Sequence, residues 1–372
     1  MKYLTTKDID PNLDLVNEIN KLRKELNAVI LSHYYQDDEI QEIADFVGDS
    51  LDLSRKAAAT DADVIVFCGV KFMAETAFIL NPDKLVLLPD LEAGCSLETS
   101  CQPKEFADFR RLYPDHIALT YINCSAEIKA LSDIIVTSTN AATIINQLPL
   151  NQKIIFAPDK HLGRYLNKIT GRDMVLWDGT CQVHENFSEK ELLKLRLLHP
   201  KAHIIAHPEC PEVILNYAEH IGSTSSLINY VGKKPNDEFI VLTEPGIFHE
   251  MRKVAPNAKF YDVPGINESG CSLCNSCPYM KLNTLEKLYL SMINKSPSIH
   301  LPKELVALSK KPLLKMLIYF FIFILGLAVG SFLNCVIYRL EQEKSFLRGR
   351  SFCPDCSHQL QWLDLIPVLS FF

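Results

Sequence analysis

The sequence predicts an α/β protein of three similar three-layer units around a pseudo-threefold axis, with a C-terminal transmembrane helix. Short apolar runs alternate with longer helical stretches from about residue 28 to residue 263. Continuous apolar strands separated by helices are typical of parallel sheets that are covered on both faces. The predicted strands span residues 64–70, 85–88, 117–122, 134–137, 153–157, 174–177, 202–206, 239–243 and 259–263.

Three strand-like runs end in a polar–any–polar triplet, and successive triplets begin 88 and 86 residues apart. The paired polar residues are His33 and Tyr35, Tyr121 and Asn123, and His207 and Glu209. Alternate strand residues point the same way, and ligands bind beyond the carboxyl ends of parallel strands. We therefore expect three repeats, roughly 25–112, 113–199 and 200–290, whose strand ends meet at one cavity. The alternative is a chance recurrence of spaced polar residues.

A small polar cluster follows the start of each triplet after some 16 or 17 residues. Its hydroxyl-bearing members include Ser50, Ser138, Ser223 and Thr224. They lie where loops are predicted to enter helices, so their hydroxyl and backbone N–H groups could bind phosphate or carboxylate. Ordinary N-capping explains each of them equally well when taken singly. Their recurrence in all three repeats favours the ligand.

Composition narrows the classes of function. A chain of 372 residues is long enough for two or more domains. Its 38 basic and 45 acidic residues give a formal net charge of -7 without a basic run, so we expect no nucleic-acid partner. The N-terminus lacks the apolar segment of a signal peptide, which predicts a cytoplasmic location for the first three hundred residues. In that compartment, 12 cysteines predict metal binding or catalysis rather than disulfides.

The cysteines allow two kinds of iron–sulfur site. Cys271, Cys274 and Cys277 have ferredoxin-like spacing, but the fourth cysteine of that motif is missing. Alternatively each repeat donates one thiolate, from Cys95, from Cys181 and from one of the terminal three. Three thiolates would hold a [4Fe-4S] cluster and leave one iron open as a Lewis acid for dehydration chemistry. The cysteines predicted only to pack in the interior are Cys68, Cys124 and Cys210.

Several long motifs resemble those of the quinolinate synthase family over about residues 1–317. They are LLPDLEAGCSL (87–97), APDKHLGRY (157–165), LWDGTCQVH (176–184), AHPEC (206–210) and CPYMKLN (277–283). The resemblance implies condensation of iminoaspartate with dihydroxyacetone phosphate to give quinolinate, phosphate and water. It also implies a [4Fe-4S] cluster on Cys95, Cys181 and Cys277, and L-aspartate oxidase as the functional partner that supplies iminoaspartate. The alternative is a non-catalytic iron–sulfur redox sensor.

The resemblance also implies the residues that line the substrate site. Tyr35 and Glu209 are our candidates for proton transfer, because the isomerisation and dehydrations require an acid or base. The other predicted catalytic residues are His184 and His207. The predicted substrate-binding residues are His33, Ser50, Tyr121, Asn123, Ser138, Ser223 and Thr224.

The last 55 residues or so have a different character. Residues 317–338 carry no charge over a length sufficient for a membrane-spanning helix. Residues 326–340, the Cys353–Cys356 pair and residues 362–370 resemble the start of a type IV prepilin peptidase and its zinc-binding loop. That family's second cysteine pair and catalytic aspartates are missing, so we expect a truncated segment, 318–372, without peptidase activity. We expect an accidental fusion, with membrane association only if the tail is translated and inserted.

Overall fold

The computed structural model describes residues 3–266, 272–273 and 275–316. The chain divides into two compact units, Met1–Leu313 and Leu314–Phe372. The predicted transmembrane helix, the peptidase-like segment, Cys271 and Cys274 lie outside the described residues. Within those residues, no helix is both long and apolar enough to cross a membrane.

Three four-stranded sheets follow one another along the first unit, and every strand pair in them is parallel. The first sheet contains β1 Ala28–His33, β2 Phe46–Gly48, β3 Val64–Cys68 and β4 Leu85–Leu87. The second contains β5 Ile117–Tyr121, β6 Ile134–Val136, β7 Ile154–Ala157 and β8 Val175–Leu176. The third contains β9 His203–Ala206, β10 His220–Ile221, β11 Glu238–Leu242 and β12 Lys259–Asp262. Each sheet has the order second, first, third, fourth strand, which confirms the predicted threefold repeat and parallel sheets.

Helices connect the strands and cover the sheets. Those before and within the first repeat are α1 Leu15–Glu25, α2 Asp38–Ile43, α3 Ser50–Ala59, α4 Lys71–Leu80, α5 Ser96–Ser100 and α6 Pro103–Leu112. Those of the second repeat are α7 Ala126–Ala130, α8 Ala141–Gln147, α9 Lys160–Thr170, α10 Gln182–Glu185 and α11 Glu189–Leu198. The third repeat has α12 Glu212–Leu215, α13 Thr224–Gly232, α14 Phe248–Val254 and α15 Leu285–Asn294, and a further helix spans 303–316.

A few short elements complete the described residues. Three 3-10 helices span Thr6–Asp8, Pro245–Ile247 and Met280–Leu282. A small antiparallel pair, β13 Gly265–Ile266 and β14 Ser272–Leu273, follows the third sheet. It leads toward Cys277, the only described cysteine of the terminal three.

The central strands form because their apolar residues are buried on both faces. All five residues of β3 and all four of β7 are buried, as continuous β-branched and aromatic runs require in a covered parallel sheet. The same burial makes Cys68 a fully enclosed residue of β3, in agreement with its predicted packing role. The strands therefore bring their polar carboxyl ends, and not their middles, to the cavity described below.

Each repeat contacts the next through equivalent helices. The helix after the third strand of one repeat meets the helix after the first strand of the following repeat. Glu75 of α4 accepts a hydrogen bond from the N–H of Ala126 in α7 at 2.9 Å. Lys168 of α9 pairs with Glu212 of α12 at 3.0 Å, and Lys253 of α14 pairs with Glu42 of α2 at 3.5 Å. These contacts run from first to second, second to third and third to first repeat, as a pseudo-threefold arrangement requires.

The stability of the chain near the boundary between the first two repeats should depend on pH through the carboxyl group of Glu98. Burial, followed by the neighbouring Glu75 carboxylate, raises the pKa of Glu98 to about 7. The folded chain thus holds this proton more tightly than the unfolded chain. The resulting stability is present in full below the ordinary pKa of 4.5 and is lost as the pH rises through about 7. Glu98→Gln should therefore raise the free energy of unfolding by about 1–3 kcal/mol at about pH 8, with little effect near pH 4.

Urea unfolding of both proteins at several pH values measures this difference. The exposed Glu105→Gln variant is the control, because it removes an acidic residue of the same repeat from a solvent-facing helix position. Parallel pH–stability curves for wild type and Glu98→Gln would contradict the expected proton uptake.

Candidate functional site

A cavity of about 70 Å³ lies where the carboxyl ends of the three sheets meet. Its lining includes thirteen of the fourteen predicted site residues: His33, Tyr35, Ser50, Cys95, Tyr121, Asn123, Ser138, Cys181, His184, His207, Glu209, Thr224 and Cys277. Ser223 does not line it. Its hydroxyl instead caps α13 by accepting from the N–H of Ser226 at 3.4 Å. Ser223 therefore has the N-capping role that was the alternative to ligand binding.

Two histidines at the strand ends are buried and uncharged at neutral pH. Burial lowers the pKa of His33 to about 4 and that of His207 to about 3. Each ring lies at the carboxyl end of the first strand of its repeat, because His33 ends β1 and His207 comes immediately after β9. A neutral imidazole offers one donor and one acceptor nitrogen to a ligand.

Glu209 is a buried carboxylate bound by residues of the second repeat. Its Oε1 accepts from the Tyr121 hydroxyl at 2.6 Å, and its Oε2 lies 3.0 Å from Nδ1 of His184. Burial alone would raise the pKa of Glu209, but the imidazoles of His207 and His184 and the Tyr121 hydroxyl outweigh it and lower the pKa. Glu209 is therefore ionised in a site where only 3% of its surface is exposed.

The three predicted cysteine ligands are free thiols that line the same cavity. Burial raises the pKa of each, that of Cys277 to about 11, and the nearby thiols raise those of Cys95 and Cys181 further. Backbone N–H groups in the turn after each cysteine act in the opposite direction. They belong to Leu97 and Glu98, to His184, and to Tyr279 and Met280.

This donor set fits a metal cluster held by three thiolates. Each repeat contributes one thiol, and a bound cation would favour the deprotonated form that burial and mutual repulsion disfavour. The remaining described cysteines, which do not line the cavity, are all buried: Cys68, Cys101, Cys124 and Cys210. The packing predicted for Cys124 and Cys210 agrees with this placement. A second donor group also exists, because ligand atoms of Cys181, His184 and Glu209 lie within 4.8 Å of one another.

Polar groups beside the thiols are available to a ligand. The side-chain oxygens of Asn123 and Thr137 are buried without a hydrogen-bond partner, and both residues line the cavity. The Asp49 carboxylate, by contrast, already accepts four hydrogen bonds from the protein. It caps α3 through the N–H groups of Leu51 and Asp52, and it accepts from the hydroxyls of Thr139 at 3.0 Å and Ser225 at 2.9 Å. Asp49 therefore joins all three repeats beside the predicted hydroxyl clusters.

The sequence analysis assigned no role to several polar residues at or beside the cavity, and four of these have defined partners. They are Asp49, Thr243, Glu244 and Lys281. Glu244 is fully buried, and its carboxylate accepts from the N–H of Gly246 at 2.6 Å and of Cys277 at 3.3 Å. Only the position of Asp49 within a polar cluster (48–50) signalled its role. The partners of Thr243 and Lys281 become visible only when different repeats are brought together. Those of Glu244 lie in its own repeat, up to 37 residues further along the chain.

Lys281 connects the third cysteine with the first repeat. Its Nζ donates to the carbonyl oxygen of Tyr35 at 2.9 Å, pairs with Asp37 at 2.9 Å and lies 3.4 Å from the Glu244 carboxylate. One ammonium group thus holds both the loop after β1 and the carboxylate that binds the N–H of Cys277.

Comparison with known proteins decides the family. Residues 17–318 match the family model described as quinolinate synthetase A protein. The chain belongs to the quinolinate synthase family. A quinolinate synthase of Synechocystis sp. is 62% identical over 82% of this chain and 95% of the relative. Those of Gloeothece citriformis and Cyanophora paradoxa are 60% and 56% identical, over 84% and 82% of this chain and 96% and 91% of the relatives.

These matches confirm the predicted family and an enzyme of the quinolinate synthase type. The foreign character of the C-terminal segment is confirmed as well. Residues 324–372 match the family model of the bacterial peptidase A24 N-terminal domain. The two matched regions adjoin, with only residues 319–323 between them.

Lys281→Met should weaken this quinolinate synthase site. The change leaves the buried Glu244 carboxylate without its cation and frees the Tyr35 loop, so we expect about a 10- to 100-fold loss of activity, as for other supports of metal ligands. Lys253→Met is the matched control, because it removes a lysine that pairs with Glu42 of α2 and with Glu250 of its own helix and does not line the cavity. Quinolinate formation and iron retained after chelator treatment measure the effect. Equal values for Lys281→Met and the control would contradict it.

Proposed function

We propose that the chain condenses iminoaspartate with dihydroxyacetone phosphate to give quinolinate, phosphate and water. The observation that carries this proposal is the meeting of one free, half-buried thiol from each repeat with the ionised Glu209 at one cavity. The quinolinate synthase relatives, 56–62% identical over most of their length, support the same reaction.

Cys95, Cys181 and Cys277 would hold a [4Fe-4S] cluster in this proposal. When bound, such a cluster supplies an iron without a protein thiolate, which acts as a Lewis acid toward a hydroxyl or carboxylate oxygen. The protein's own part is to hold the three thiolates from three repeats and to limit water in a small cavity. The backbone N–H groups after each cysteine would stabilise negative charge on sulfur.

The polar residues would divide binding and proton transfer between them. Glu209, ionised and hydrogen-bonded to Tyr121, is placed to accept a proton, and Tyr35 is the second candidate. The neutral His33 and His207 and the adjacent His184 would hydrogen-bond the substrates. The open oxygen of Asn123 would accept from a substrate N–H or O–H group. The hydroxyls proposed to hold phosphate and carboxylate are those of Ser50, Ser138 and Thr224.

The proposal also covers the cellular compartment of the chain and the source of its iminoaspartate. The seven described cysteines are free, as expected in the reducing cytoplasm. Iminoaspartate hydrolyses readily in water as an imine, so an enzyme that forms it, L-aspartate oxidase, would be the functional partner. We further propose that residues 317–338 span a membrane when inserted, on the basis of their uncharged sequence.

The test uses the full chain purified without oxygen. We expect wild type to form quinolinate from the two substrates, and Cys181→Ala to lose both the cluster and the product. Cys68→Ala is the matched control, because Cys68 is enclosed in β3 away from the cavity. Iron and sulfide per chain are measured beside the product.

Three other outcomes would count against parts of the proposal. An intact cluster in Cys181→Ala would place the ligands elsewhere, within the Cys271–Cys277 segment. A cluster without any product in wild type would favour the redox sensor. Recovery of the chain solely in the soluble fraction of cells would contradict the membrane span.

A further inference from the structure

One carboxylate oxygen joins loops from all three repeats beside the cavity. Asp49 belongs to the first repeat, and only 6% of its surface is exposed. Its Oδ2 accepts a hydrogen bond from the hydroxyl of Thr139 in the second repeat at 3.0 Å. The same oxygen accepts from the hydroxyl of Ser225 in the third repeat at 2.9 Å. The relative placement of the three loops therefore depends on a single atom of Asp49.

Each residue of this group is the chain neighbour of a hydroxyl residue that lines the cavity. The neighbouring pairs are Asp49 and Ser50, Thr139 and Ser138, and Ser225 and Thr224. Thr139 and Ser225 do not line the cavity themselves. Consecutive Cα atoms are held about 3.8 Å apart by the planar peptide, so fixing one residue restricts the position of the next. Thr139 and Ser225 can therefore act on a ligand through the hydroxyl residues beside them.

The two oxygens of the Asp49 carboxylate have different partners. Oδ1 caps α3 by accepting from the N–H groups of Leu51 at 2.9 Å and Asp52 at 3.0 Å. Oδ2 accepts from the two hydroxyls of the other repeats. At the N-cap of the equivalent helix in the third repeat, the single hydroxyl of Ser223 caps α13. Capping at this point of the fold therefore does not require a carboxylate, and the second oxygen of Asp49 provides the contact between repeats.

A further contact acts in the same direction. The hydroxyl of Ser225 also lies 3.2 Å from Oδ2 of Asp52, which belongs to the helix that Asp49 caps. Both contacts hold the third repeat's loop against the start of α3. Hydrogen bonds to a carboxylate are stronger than those between neutral groups. Loss of the two hydroxyls would leave each loop to be placed by its own repeat alone.

We propose that Asp49 is a positioning residue for substrate binding: through Thr139 and Ser225 it sets the spacing of the three hydroxyls, one from each repeat, that line the cavity. The inference rests on the proposed function for the identity of the ligand, dihydroxyacetone phosphate. It concerns the binding step, so binding and turnover give separate readings.

The first test removes both hydroxyls from the full chain carrying its cluster, as Thr139→Val together with Ser225→Ala. The loops lose their contact with Asp49 while the hydroxyls that line the cavity remain. We expect the KM for dihydroxyacetone phosphate, and its Kd by calorimetry without iminoaspartate, to rise about 5- to 20-fold. We expect kcat to stay within about threefold of wild type and iron per chain to be unchanged, because the altered residues do not line the cavity.

The matched control is Thr170→Val together with Ser226→Ala, which removes two hydroxyls whose partners lie within their own repeats. This control, and Thr139→Ser alone, should keep the wild-type KM and Kd. Wild-type constants in the chain that lacks both the Thr139 and Ser225 hydroxyls would overturn the inference, even where that chain forms quinolinate. A raised Kd in that variant, combined with no quinolinate from wild type, would instead refute the proposed function alone.

The second test repeats the double change in an Asp49→Ser background. Serine keeps a capping oxygen, as Ser223 does in the third repeat, but lacks the second oxygen. We expect removal of the two hydroxyls to change the Kd for dihydroxyacetone phosphate by less than about twofold in this background, because their shared partner is already missing. A rise as large as that in the wild-type background would show that the hydroxyls act independently of Asp49, and the inference would be wrong.

Discussion

Buried polar groups at the carboxyl ends of the strands must find their hydrogen-bond partners in neighbouring repeats, and the whole site depends on this constraint. Asp49 accepts from hydroxyls of the other two repeats, and Glu209 accepts from Tyr121 of the second. A buried polar group left without a partner costs about 1–3 kcal/mol. The repeats therefore stabilise one another through the same side chains that form the cavity. Any change in their relative placement would break several of these bonds together.

The sheets could be predicted because parallel strands covered on both faces leave a strong sequence signal. The run 64–70 is apolar almost throughout, and β3 was found within it. The edge strands β2 and β10 left no such signal, because they have three and two residues and pair on one side only. The threefold repeat of the sequence supplied information that the short edge strands did not. The similar spacing of the strand-end triplets, 88 and 86 residues, indicated three polar pairs that line the cavity before any contact between repeats was known.

Residues that act through another repeat could not be predicted in the same way. Thr243 is the last residue of a predicted apolar strand, and its hydroxyl has hydrogen-bond partners only because Tyr35 and His184 of the other repeats approach it. Glu244 and Lys281 lie 37 residues apart, and their pairing depends on the path of the chain between them. Ser223 shows the reverse case. Its place in a recurring cluster favoured a ligand, yet local capping geometry uses its hydroxyl.

The thiols illustrate what the fold adds to local spacing. The Cys271–Cys277 spacing resembles a self-contained cluster motif, whereas the cavity collects Cys95 and Cys181 from distant repeats together with Cys277. Burial raises the pKa of all three thiols, and neighbouring thiols raise the pKa of Cys95 and Cys181 further. A bound cation reverses that preference, and each thiolate formed must release its proton. Metal binding as proposed at this cavity would therefore be coupled both to proton release and to the docking of three repeats, because each repeat holds one of the three proposed ligands.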